Sequence, residues 1–149
     1  MFPAWPGVWI DEGADPLILS NHIYDGADSG VYIGGSGTRG RLERNEIRNN
    51  ARANIEVLER ADPAIAFNHI HGGQRQGVLV SDAGTRGRLE GNTIAANAGP
   101  AVQVTRGAQP DVVFNTLRDG LAEGVLVEHA GTRARIDGNV IGSNEVRMG

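Results

Sequence analysis

Six arginines, a histidine–carboxylate group and a row with two aromatics are the parts of this 149-residue chain whose types and spacing point to chemistry. Arg39 and Arg41, Arg86 and Arg88, and Arg133 and Arg135 sit in the phrases GTRGRLE at 37–43, GTRGRLE at 84–90 and GTRARID at 131–137. Such an arginine comb suits carboxylates or phosphates along an acidic polymer or a partner protein. Glu43, Glu90 and Asp137 follow two residues after each second arginine, so solvated ion pairs between neighbouring copies are the competing expectation. His22, Glu46 and His69 are spaced by 24 and 23 residues, with Tyr24, Arg48 and His71 two positions further on. A His/Glu/His group can ligate a transition metal or move protons. An exposed hydrophilic ladder is the competing expectation, because ligation requires converging geometry. The third set is Trp9, Tyr32 and Glu56, followed at the same spacing by Leu79, Gln103 and Leu126. Its aromatics suit stacking on sugars or burial against a protein. It equally suits packing under a flanking segment.

What brings residues 23 or 24 apart into register is a repeat. An N-x-[IL] motif recurs at Asn21, Asn45, Asn68, Asn92, Asn115 and Asn139, at alternating spacings of 24 and 23. Nine residues after each of the first five, an apolar alternation opens: GVYI, NIEV, GVLV, AVQV and GVLV, with GVWI at 7 heading the series. The chain therefore divides into six rungs beginning near residues 7, 30, 54, 77, 101 and 124, read as one domain over residues 1–149. The 47-residue recurrence of GTRGRLE is two rungs.

Each rung holds three short strand-like pieces. Val8/Ile10 and their five copies alternate with variable residues, which is the period of a strand. A second inward apolar residue stands three before each Asn (Ile18, Leu42, Ile65, Leu89, Val112, Ile136) and a third two after it. No window sustains helical spacing, so almost no helix is expected. A single rung buries too few side chains to offset the ordering of its backbone. Stacked rungs about 4.8 Å apart pair every strand in parallel and share one core. The recurring Asn then forms a ladder at a turn, a role that its sixfold repetition favours over catalysis.

Alternate rungs differ in their first turn. Odd rungs carry GADP, RADP and GAQP with Pro16, Pro63 and Pro110; even rungs carry GTRG, GTRG and GTRA and are one residue longer there. Odd rungs have Gly26, Gly73 and Gly120 where even rungs have Asn50, Asn97 and Asn144. Duplication of a two-rung unit is the simplest account.

Six copies of x-I-x-x-N-x-I followed by G-[IV]-x-[IV] resemble the right-handed parallel β-helix repeat of the pectin-lyase-like superfamily, from Gly7 to Asn144. That resemblance implies an all-β, right-handed parallel β-helix solenoid of six rungs of 23 or 24 residues. The superfamily includes polysaccharide lyases and epimerases, copper-processing proteins and F-box substrate-recognition regions, so the fold carries many activities. Its hydrolases use clustered Asp on the first-strand face, and its lyases use calcium-binding carboxylates with a basic residue. This chain shows no such cluster: Asp11, Glu56 and Glu128 stand far apart in sequence. YDGADSG at 24–30 faintly resembles an epimerase Asp-Pro-His-Asp motif but lacks the Pro-His. Rungs without long insertions also leave no walls for a water-excluding cleft.

Composition narrows the partners. The net charge of −4 gives no reason to expect nucleic acid, and the absence of cysteine removes disulfides and thiolate chemistry. All 14 basic residues are arginine, in keeping with a GC-rich bacterial coding bias. MFPAWPGVWI has neither a basic stretch nor a long apolar run, so no signal peptide and no membrane partner are expected. Gly149 falls where a seventh rung would begin, and MFPAWPG is a thin cover for the first. The sequence therefore reads as a piece of a longer protein, or as one whose uncapped ends associate with other copies. The reading is a non-catalytic binding or scaffold module without a cofactor, whose partner is a protein or an acidic or neutral polysaccharide. The alternative is part of a carbohydrate-active enzyme (lyase, hydrolase or epimerase) with its catalytic rungs elsewhere.

Overall fold

Short strands separated by tight turns, each too small to persist alone, stack here into a column. The structure, a computed structural model, describes residues 3–143, and among them there is no helix. Eighteen strands of three or four residues form three six-stranded parallel sheets, each strand hydrogen-bonded to its counterpart one rung away. The first sheet contains Val8–Ile10, Val31–Gly34, Ile55–Leu58, Val78–Ser81, Val102–Thr105 and Val125–Val127. The second contains Leu17–Leu19, Arg41–Glu43, Ala64–Ala66, Arg88–Glu90, Asp111–Val113 and Arg135–Asp137. The third contains His22–Tyr24, Glu46–Arg48, His69–His71, Thr93–Ala95, Thr116–Arg118 and Val140–Gly142. With no helix present, none is long and apolar enough to cross a membrane among the described residues.

Inward residues follow the expected alternation. Ile33, Ile55, Val57, Leu42, Ile65, Ile47, Ile70 and their copies in the second to fifth rungs are fully buried in one continuous core. Ile136 and Ile141 of the sixth rung are roughly half exposed. Each Asn of the N-x-[IL] motif closes the corner between the second and third sheets. The Asn68 side-chain amide donates to Asn92 Oδ1 (3.0 Å) and to the Leu42 carbonyl (3.0 Å). Its Oδ1 accepts from the Asn45 backbone N–H (2.9 Å) and the Asn45 amide (3.0 Å). The same set repeats at Asn92 and Asn115. The residue before each Asn adopts a left-handed φ, including Phe67 (58°) and Phe114 (57°). A Cβ on Gly91, which occupies that place in the fourth rung, would meet the Phe67 ring at 2.6 Å.

The two-rung period has a packing reason besides duplication. Asn50 and Asn97 fill the corner leading from the third sheet into the next rung, where they accept the N–H of Gly26 (3.0 Å) and Gly73 (2.9 Å). Asn54 bridges them, accepting from Asn50 (2.8 Å) and donating to Asn97 (3.0 Å). A Cβ on Gly73 would lie 2.7 Å from Asn54 Nδ2 and 3.0 Å from Asn97 Oδ1. One large amide therefore serves two rungs, and the rung beneath must be glycine. Asn144, the third member of that series, lies outside the described residues.

The other half of the alternation is the GTR turn, in which threonine is the organising residue. Thr38, Thr85 and Thr132 accept the backbone N–H of Gly13 (2.9 Å), Arg60 (2.8 Å) and Gly107 (2.7 Å) in the preceding odd rung. Thr38 and Thr85 are fully buried.

Candidate functional site

The three outward faces place the candidate residues in three different settings. On the second sheet the comb is interleaved with acid. Arg41 pairs with Glu43 (2.8 Å), Arg88 with Glu90 (3.4 Å) and Arg135 with Asp137 (3.1 Å). These bonds run mainly along each strand rather than between rungs as expected, because residues i and i+2 share one face; Arg88 to Asp111 (3.8 Å) is the cross-rung exception. Its Arg41 partner holds the Glu43 carboxyl below the usual range. Backbone bonds at the preceding corner align Asp15, Arg39, Asp62, Arg86, Gln109 and Arg133 in one column. Arg39, Arg86 and Arg133 are exposed and enter no ion pair among the described residues, but Asp15 and Asp62 flank Arg39. The face as a whole carries six arginines against six carboxylates and is not a cationic stripe.

On the third sheet the register aligns His22, Glu46 and His69 as expected. The contacts are different. Glu46 meets His22 (3.5 Å), Arg48 (3.2 Å) and His71 (3.3 Å), while His69 stacks on His71 with ring centroids 4.1 Å apart. His71 reaches Glu46 diagonally, and its ring lies against the one that was expected to share the carboxylate. The hydrogen bond with His71, helped by the charges of His22 and Arg48, holds the Glu46 carboxyl below its ordinary value. Burial and the neighbouring His71 lower His69. No group of three or more His, Asp or Glu among the described residues converges to hold a metal ion. Tyr24 lies beneath the Arg48 guanidinium, 4.5 Å from its carbon to the ring centroid.

The first sheet gathers the most chemistry. Register aligns Trp9, Tyr32, Glu56, Leu79, Gln103 and Leu126 in a column across all six rungs. Trp5, from the segment before the first strand, extends it: Trp5 and Trp9 are 5.6 Å apart and tilted, and Trp9 meets Tyr32 edge-on at 5.5 Å. Two adjoining shallow clefts, of about 340 and 390 Å³, run along this face and share Arg52, Glu56 and Leu58. The first is walled by the aromatics and Asp28; the second by Gln103, Ser81, Asp82 and Glu128 among others.

Glu56 lies at the junction, 5% exposed, 3.4 Å from Arg52, which also approaches Asp28 (3.8 Å). Burial raises the Glu56 carboxyl more than Arg52 lowers it. Burial, with the charges of Glu59, Glu56 and Asp82, raises the Tyr32 hydroxyl. Further along, Gln76 donates to Gln103 (2.7 Å) and Gln103 to Glu128 (2.7 Å). Asp82 accepts from the Glu59 N–H (3.0 Å) and the Ser81 hydroxyl (3.0 Å).

Sequence reading found this column, and Glu128 beside it, but not the flanks that come from turns. Asp28 and Arg52 stand two residues before their rungs begin, and Glu59 and Asp82 stand just past the strands. Side chains from turns carry no alternation signal. The rung spacing itself was the available clue, because Trp5, Asp28 and Arg52 are 23 and 24 residues apart.

The family model for the right-handed β-helix region matches residues 6–147. The chain belongs to that family. No curated protein and no solved structure gives a significant match. Membership in the right-handed β-helix family accords with the stacked parallel sheets and the buried Asn ladder. It carries no statement about ligand or reaction.

Proposed function

We propose that this β-helix is a non-catalytic recognition module whose first-sheet groove holds an extended glycan chain. The observation that supports it is the row Trp5–Trp9–Tyr32 opening directly onto a channel of amide, hydroxyl and carboxylate groups. Aromatic faces stack on the apolar faces of sugars, and polar groups along the same line serve their hydroxyls. The rung spacing of about 4.8 Å is close to the length of one hexopyranose unit in an extended chain, so each rung faces one sugar. An extended peptide laid along the groove would gain less: the groove crosses the strands, and the four inner ones are paired on both sides, so along its length it offers no sheet edge to which a strand can add.

Trp5 and Trp9 are the two tryptophans of the chain, so tryptophan emission, excited selectively over tyrosine, reports on the groove alone. Titration with neutral hexasaccharides is expected to shift that emission. Trp9→Ala is expected to weaken binding, followed by calorimetry, by about tenfold, the scale of one aromatic contact with its burial. Unchanged affinity in Trp9→Ala, or no binding of any oligosaccharide, overturns the proposal.

A second reading, a carbohydrate-active enzyme, is favoured by one observation: Glu56 is a buried carboxyl of raised proton affinity beside Tyr32 and Arg52. Such a group can act as a general acid. Shortening of an oligosaccharide by the wild-type chain, abolished in Glu56→Gln, would establish it in place of the recognition role.

A further inference from the structure

The groove's charge narrows its ligand. Its lining carries four carboxylates, Asp28, Glu56, Asp82 and Glu128, against two guanidiniums, Arg52 and Arg106, and one imidazole, His129. Arg52 is shared between Asp28 and Glu56, and the charge of Arg75 also reaches Glu56. Glu59, whose charge helps to raise the Tyr32 hydroxyl, adds a further carboxylate nearby. A polyuronate laid in this channel would bring a carboxylate per sugar against an acidic wall. A neutral glycan would meet the acids through its hydroxyls alone and leave their excess charge without a counter-ion as water is displaced.

Building on the recognition role proposed above, we infer that the groove's ligand is an amino-bearing glycan, a polymer of de-N-acetylated hexosamine. Its sugar faces stack on Trp5, Trp9 and Tyr32, and its ammonium groups meet the carboxylates. A protonated amine on each sugar repeats with the rungs. It can therefore meet Asp28 and Glu56 at the aromatic end, and Asp82 and Glu128 further along. Gln103, held between Gln76 and Glu128, stands among them as a partner for hydroxyls. The amines also lie over aromatic faces, where a cation gains from the ring quadrupole. A lysine-rich peptide shares the charge but not the match of ring to aromatic face, and along the groove the strands it crosses offer it no backbone to pair with.

The test is calorimetric titration of the 149-residue chain at pH 6 and moderate salt with four probes. These are glucosamine hexamer, N-acetylglucosamine hexamer, galacturonate hexamer and hexalysine. The glucosamine hexamer is expected to bind about fivefold to tenfold more tightly than its N-acetylated form, the fold-change of one or two partly shielded ion pairs. Galacturonate and hexalysine are expected to bind more weakly than both. Glu56→Gln and, at a less buried position, Asp82→Asn are each expected to reduce the ratio of free-amine to N-acetylated affinity toward one. Equal affinity for the amine and its acetylated form overturns this inference and leaves the glycan-binding role standing. So does tighter galacturonate binding. Tighter binding of hexalysine than of any sugar, or no sugar binding at all, overturns both.

Discussion

Asn68 makes its four hydrogen bonds with nothing but protein around it, and two of its partners, the Asn45 N–H and the Leu42 carbonyl, are backbone groups in the rung before its own. Asn68→Ala strands both in the interior, at roughly 1–3 kcal/mol for each unsatisfied group. Urea denaturation is expected to show a loss of about 2–5 kcal/mol. Asn21→Ala, at an exposed member of the same column, is expected to cost under about 1 kcal/mol. Equal losses at the two positions would remove the ladder from the account. Glu56 behaves in the opposite sense to a stabilising acid. Its folded pKa is raised, chiefly by burial, so its ionised form weighs against folding and its contribution fades as pH rises through the folded value. Glu56→Gln is therefore expected to raise the melting temperature at pH 7, a gain that vanishes below the ordinary carboxyl value of 4.5. A melting temperature lower than wild type at pH 7 would mean that the pair with Arg52 outweighs the cost of burial.

At the scale of the turn, threonine rather than arginine gives GTR its constancy. Thr85→Val keeps the shape but leaves the Arg60 N–H without an acceptor, and an expected loss of about 1–3 kcal/mol follows in the same denaturation assay. Thr85→Ser, which keeps the hydroxyl, is expected to lose less than half as much. Serine and valine losing equally would assign the effect to packing. The strands, their inward residues and the Asn column were legible in the sequence, because a period of 2 inside a period of 23 or 24 fixes which side chains share a face. The role of Thr85 was not, since hydroxyl-to-backbone bonding leaves no alternation and the neighbouring arginines drew attention by charge. The neutrality of the second face was partly legible: adding 23 and 24 to Asp15 yields Arg39, Asp62 and Arg86. The diagonal contact of His71 with Glu46 was beyond reach, because it depends on side-chain rotamers and not on register.

At the scale of the molecule, the unit of construction is two rungs. Deleting residues 54–100, one 47-residue period, keeps every Asn/Gly and Thr/backbone partnership in phase. Deleting only residues 77–100 removes Asn97 and Thr85 together, which leaves the Gly73 and Arg60 N–H groups without acceptors. The 47-residue deletion is expected to retain β-sheet circular dichroism and a cooperative melt at a somewhat lower temperature, as stacked repeats do. The single-rung deletion, although it removes less, is expected to be the less stable of the two. The reverse order would show that rung number alone sets stability. The Asn column also gives the molecule a direction. From Asn21 to Asn115 each side-chain amide donates to the Asn of the next rung, and from Asn45 to Asn139 each accepts from the one before. Six amide dipoles are thus linked head to tail by five hydrogen bonds and polarise one another, so the ladder has a built-in electrical axis, positive toward the last rung.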